Sequence, residues 1–104
     1  MHSLIRVIVL VIGLVVSRVG VTADQYLSGA IEDVTSGPQG LMVKLTTGVP
    51  TNCAGVGYGW MTVPEANKTM IAVALLTWQN QRNVTVYTNP LTNGVCVINQ
   101  FDPA

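Results

Sequence analysis

Residues 64–83 read PEANKTMIAVALLTWQNQRN, and this stretch decides the fold. Pro64 and Glu65 suit a first helical turn. Proline lacks an N–H that would have no partner there, and glutamate meets the positive end of the helix dipole. Asn67 offers a second N-cap, because its side-chain oxygen can accept from a free backbone N–H. Met70, Ile71, Ala74, Leu75 and Trp78 then recur at helical spacing, with Val73 and Leu76 widening the stripe. That pattern predicts a well-buried helix over Asn67–Gln81 with Trp78 in the core. Gln79 to Asn83 ends it in polar residues.

The flanks on both sides carry strand signals. Upstream, Val56 to Val63 is expected to be a strand, with Val56, Tyr58, Trp60 and Thr62 in phase and Gly55, Gly57 and Gly59 between them. Small residues on one strand face let a backbone or a ligand approach closely. Gly48 to Gly55 is a loop with Pro50 and Cys53. Leu41 to Thr47 alternates, Leu41, Val43 and Leu45 against Met42, Lys44 and Thr46. Such alternation marks a half-buried strand. Ser36 to Gly40 is a turn, and Tyr26 to Thr35 is a first strand with Leu27, Gly29 and Ile31 on one face. Downstream, Val84 to Thr88 is rich in β-branched residues. Val95 to Asn99 follows a loop, Asn89 to Gly94, that ends in an Asn-Gly turn signal. Those two strands are expected to form a hairpin. Residues 100–104 read as a tail that Phe101 pins to the core.

The order is therefore β-β-β-α-β-β, mainly β with one helix. Three strands, a helix and a two-strand hairpin is the order of the OB-fold, a five-stranded barrel capped by its helix. An α+β sheet with one packed helix is the alternative.

The chain has 104 residues, of which 49% are hydrophobic. The N-terminus inflates that share. Val7 to Val16 is an unbroken apolar run behind Arg6, and Val21-Thr22-Ala23 precedes the polar Asp24. Positive start, short apolar run and small residues at a cut describe a cleaved signal peptide over 1–23. A membrane span needs roughly 20 apolar residues, more than Arg6 and Arg18 enclose. Arg18 is unusual so near a cut and leaves an uncleaved tether open. Residues 24–104 then form a single domain in a secreted or periplasmic protein, and no membrane span remains after cleavage.

Beyond residue 23 the charges are Lys44, Lys68 and Arg82 against Asp24, Glu32, Asp33, Glu65 and Asp102. No basic patch is available for nucleic acid. A surface of Thr, Asn, Gln and Ser suits neutral polar ligands, sugars among them. Cys53 and Cys96 are the only cysteines. In an oxidising compartment they are expected to form one disulfide. A metal site would want more ligands, and the single histidine, His2, lies in the signal segment. No cofactor or metal is expected.

Catalytic groups are scarce. Without a histidine, a serine or cysteine nucleophile lacks its usual base. Glu32 and Asp33 are adjacent, so on a regular strand they point to opposite faces and read as solvated strand-end residues. The chain is therefore expected not to be an enzyme. Tyr58-Gly59-Trp60 is the most suggestive local feature. An aromatic ring framed by glycines can stack on the C–H face of a sugar while nearby amides bind its hydroxyls. Tyr58 and Trp60 are thus candidate ligand-binding residues, with packed core or edge aromatics as the other reading. Asn67-Lys68-Thr69 and Asn83-Val84-Thr85 match the N-glycosylation pattern.

Strand order and cysteine placement together resemble the B subunits of AB-type bacterial toxins, the subtilase-cytotoxin and pertussis-like group. The shared features are the export signal, Gly29-Ala30-Ile31 in the first strand, Cys53, the helix Asn67–Gln81, Asn83 to Tyr87, and Cys96. The resemblance implies an exported OB-fold domain that assembles as a homo-oligomer and binds cell-surface glycans. The expectation is a secreted, non-catalytic binding module, with a secreted or periplasmic protein-interaction or inhibitor domain as the alternative.

Overall fold

The computed structural model describes residues 24–104, so the expected signal segment 1–23 lies outside the described residues. Five antiparallel strands form one sheet with one helix against it. Strand β1 covers Tyr26–Gly37, β2 Gly40–Leu45 and β3 Met61–Pro64. Helix α1 covers Lys68–Gln79, and strands β4 Asn83–Thr88 and β5 Ile98–Pro103 complete the order. The strands lie in the order β3-β2-β1-β4-β5. The fold is mainly β with one helix, as the sequence predicts.

β1 holds the two halves of the sheet together. Tyr26 to Ala30 pair with β4, and Ile31 to Gly37 pair with β2. The change falls at a β-bulge. Ile31 faces Leu45 and Asp33 faces Lys44, so Glu32 is the extra residue. A bulge resets the alternation of a strand and re-aims a side chain. Before it Leu27, Gly29 and Ile31 face inward; after it the inward residue is Val34, opposite buried Val43. Glu32 and Asp33 are therefore mid-strand bulge residues, both exposed, and not the strand-end pair expected.

Gly37 and Gly40 close the β1–β2 hairpin around Pro38 and Gln39. Gly40 is buried at φ 147° and pairs with Pro64 at the end of β3, which runs close beside it. A Cβ there would collide with the Val63 carbonyl oxygen and stand 2.7 Å from the Glu65 nitrogen. Only glycine fits that close approach.

The outer strands meet at one point. Thr62 of β3 forms a parallel bridge with Val97, just before β5, and the Thr62 N–H donates to the Cys96 carbonyl at 2.7 Å. Cys96 is bonded to Cys53 across 43 residues, with Cα atoms 5.7 Å apart. The expected disulfide is present, and both cysteines are fully buried. Beside it, Asn52 and Thr88 exchange two hydrogen bonds. Thr88 Oγ1 donates to Asn52 Oδ1 at 2.7 Å, and Asn52 Nδ2 donates to the Thr88 carbonyl at 3.0 Å. Every polar atom of buried Thr88 thus has a partner, as burial requires.

Two strands in particular differ from expectation. The segment Val56–Val63 is not one strand: Gly57–Gly59 is a 3₁₀ turn and β3 begins at Met61. Glycine loses more freedom than other residues in a strand, and Gly55 and Gly59 adopt positive φ instead. The last strand is Ile98–Pro103 rather than Val95–Asn99, so the supposed tail pairs with β4 and Phe101 is buried within it. Asn93 and Gly94, both at positive φ, make the tight turn between Thr92 and Val95 that their sequence predicts.

The helix is capped by Asn67, whose Oδ1 accepts the Met70 N–H at 3.2 Å, so it starts after Pro64 and Glu65. Its buried line is Ala74 and Thr77, flanked by half-buried Met70 and Val73. It faces β1, β3 and β5. Leu75, Leu76 and Trp78 are exposed, against the expected stripe and the expected core role of Trp78. Thr77 can be buried because its hydroxyl donates to the Val73 carbonyl at 2.7 Å. That local bond removes the cost that would otherwise keep a threonine outside.

Candidate functional site

The loop between β2 and β3 carries the two aromatic residues singled out in the sequence. Tyr58 occupies the middle of the Gly57–Gly59 turn at φ 57°, ψ 14°, and is 87% exposed. A left-handed conformation costs a residue with a side chain roughly 1–2 kcal/mol. Gly59, also at positive φ, continues the reversal. The chain thus holds a phenol ring in solvent on a strained support.

Trp60 is half-buried, two residues on. The strand phase that would put Tyr58 and Trp60 on one face does not exist, because the turn intervenes. Trp60 instead borders a shallow depression of about 150 Å³ with Met42, Val56, Thr62 and Val95. The Lys44 ammonium stands over its ring, 5.8 Å from the centroid. That geometry is a cation–π contact. Lys44 Nζ also lies 3.7 Å from Glu32 Oε2, in a partly exposed ion pair. The β-bulge gives Glu32 its place beside Lys44.

Glu32 in turn lines a larger cleft of about 340 Å³ between β1 and the end of α1. Trp78, Gln81 and Arg82 form its other side. A Schellman motif shapes that side: the Gln81 N–H donates to the Trp78 carbonyl and the Arg82 N–H to the Thr77 carbonyl, both at 3.1 Å. Gln81 takes φ 54° at the position where helices commonly place glycine. The reversal brings residues 78, 81 and 82 together. The Arg82 guanidinium also donates to the Ala104 carbonyl oxygen.

The sequence singles out Tyr58 and Trp60 but not Lys44, which stands over the Trp60 ring, nor Glu32, Gln81 and Arg82, which line the cleft. The break in alternation between Ile31 and Val34 was the available signal for Glu32. Of the two glycosylation-pattern asparagines, Asn67 is engaged as the helix cap and Asn83 opens β4, where its carbonyl accepts the Ala104 N–H.

Among the described residues, no three His, Cys, Asp or Glu side chains gather as metal ligands, and no helix is long and apolar enough to cross a membrane. Comparison of the chain with family models, curated proteins and solved structures finds no match.

Proposed function

We propose that this protein is an exported, non-catalytic binding module that recognises a cell-surface glycan through the corner bearing Tyr58 and Trp60. One observation carries the reading: Tyr58 is 87% exposed on a positive-φ backbone. Strained positions cluster where a side chain is held for recognition. An exposed phenol offers a face to a sugar ring, and the neighbouring Trp60 and Lys44 extend the corner with a second ring and a donor. The disulfide supports export, since such bonds persist mainly in oxidising compartments. Assembly of several copies, as in toxin B subunits, would multiply a weak single-site affinity.

A second reading, a secreted protein-interaction domain, draws on Leu75 and Leu76, which are 43% and 59% exposed on one helix. A glycan array probed with the exported protein and with Tyr58→Ala separates the two. The expected result is a defined set of glycans that the variant no longer binds. Equal binding by both proteins, or none by either, counts against it.

A further inference from the structure

We infer that the cleft between β1 and the C-terminal end of α1 is a second, independent binding site, for a neutral hydroxylated ring such as a sugar unit. Its volume of about 340 Å³ is at the small end of ligand pockets, which run from roughly 300 to 1,000 Å³. A short ring ligand fits that size better than an extended chain.

The lining is chemically complete for such a ligand. Trp78 is 37% exposed and borders the cleft, so part of its ring surface is available for stacking. The Glu32 carboxylate accepts hydroxyl hydrogens. The Gln81 amide donates and accepts, and Arg82 donates. Gln81 also stands at positive φ, where glycine would be easier. The structure thus keeps a long polar side chain beside the cleft at a cost in backbone strain.

Charge selects the ligand class. Glu32 and Arg82, the two charged residues lining the cleft, carry opposite signs. Each charge already has a partner: Lys44 lies 3.7 Å from Glu32, and Arg82 donates to the Ala104 carbonyl oxygen. An ammonium ligand would have to displace Lys44, and a carboxylate would have to compete with Ala104. Neutral hydroxyls can use the remaining lone pairs and N–H groups without breaking either contact. Charge-assisted hydrogen bonds of this kind are stronger than neutral ones.

The cleft shares no lining residue with the depression beside Trp60, and the protein itself allows the two to be tested apart. Trp60 and Trp78 are its only tryptophans, one at each place. Indole N–H resonances of the exported, ¹⁵N-labelled protein therefore report each site separately. The probes are galactose and N-acetylglucosamine as neutral rings, N-acetylneuraminic acid as an anion and choline as a cation, each at millimolar concentration. The expected result is a saturable shift of the Trp78 indole and the Gln81 amide with a neutral ring. Glu32→Gln, which keeps the shape, should weaken it, and in Trp78→Ala, where no Trp78 indole remains, the Gln81 amide should report binding about tenfold weaker. Tyr58→Ala should leave it unchanged. No saturable shift at Trp78 with either neutral ring overturns the site. A response to choline or N-acetylneuraminic acid alone overturns the ligand class.

Discussion

The backbone of Thr62 is tied to that of Cys96, its N–H donating to the Cys96 carbonyl at 2.7 Å at the one point where β3 meets the segment before β5. The same Cys96 is bonded to Cys53. One residue thus carries both a covalent link to the β2–β3 connection and a hydrogen-bonded link to edge strand β3.

Breaking that link should be costly. Cys53→Ser or Cys96→Ser is expected to destabilise the domain by about 2–5 kcal/mol, because the unfolded chain regains the freedom of the closed loop. Thermal unfolding measures the loss. Hydrogen exchange at the Thr62 amide should rise more than at Val86, which lies in the inner strand β4. Thiol titration of the native protein should find no free thiol.

The close approach of β3 at Gly40 should tolerate no side chain. Gly40→Ala is expected to lose about 2–4 kcal/mol, since the methyl group meets the Val63 carbonyl and the backbone is at φ 147°. Gly57→Ala is the control. Nothing lies within 4 Å of a Cβ there, and its stability should stay within about 1 kcal/mol of the parent. Denaturant midpoints decide both.

The hydroxyl of Thr88 should be worth about 1–3 kcal/mol. Thr88→Val keeps the shape but leaves Asn52 Oδ1 without its 2.7 Å partner in a part-buried setting. If Thr88→Val unfolds at the same denaturant concentration as the parent, the Asn52–Thr88 pair does not fasten the Thr51–Cys53 turn to β4.

The helix should separate its faces clearly. Leu76→Lys changes an exposed position and should shift stability by less than about 0.5 kcal/mol. Ala74→Leu overfills a fully buried one and should cost about 1–3 kcal/mol.

That last contrast shows where sequence is informative and where it is not. Residues 70–76 are all apolar, so periodicity has almost no contrast there and cannot fix which side is buried. Thr77 counts as polar on any scale, yet its bond to Val73 lets it enter the core. Asn67 and Asn93-Gly94 were legible because cap and turn chemistry are local. The bulge at Glu32 depends on pairing with β2, and β5 depends on its register with β4. Both are tertiary outcomes that no single segment encodes. The order of elements and the cysteine pair were readable. The cleft was not, because Glu32 reaches it from a strand 45 residues or more before Trp78, Gln81 and Arg82.

Tyr58→Gly tests the account most directly, with melting temperature and glycan binding measured on the same preparation. Glycine accepts φ 57° without strain, so the variant should be as stable as the parent or more so. It should also lose the glycan binding. A variant that binds as the parent does would contradict the role given to Tyr58, and one that unfolds at much lower temperature would show that the ring serves packing instead.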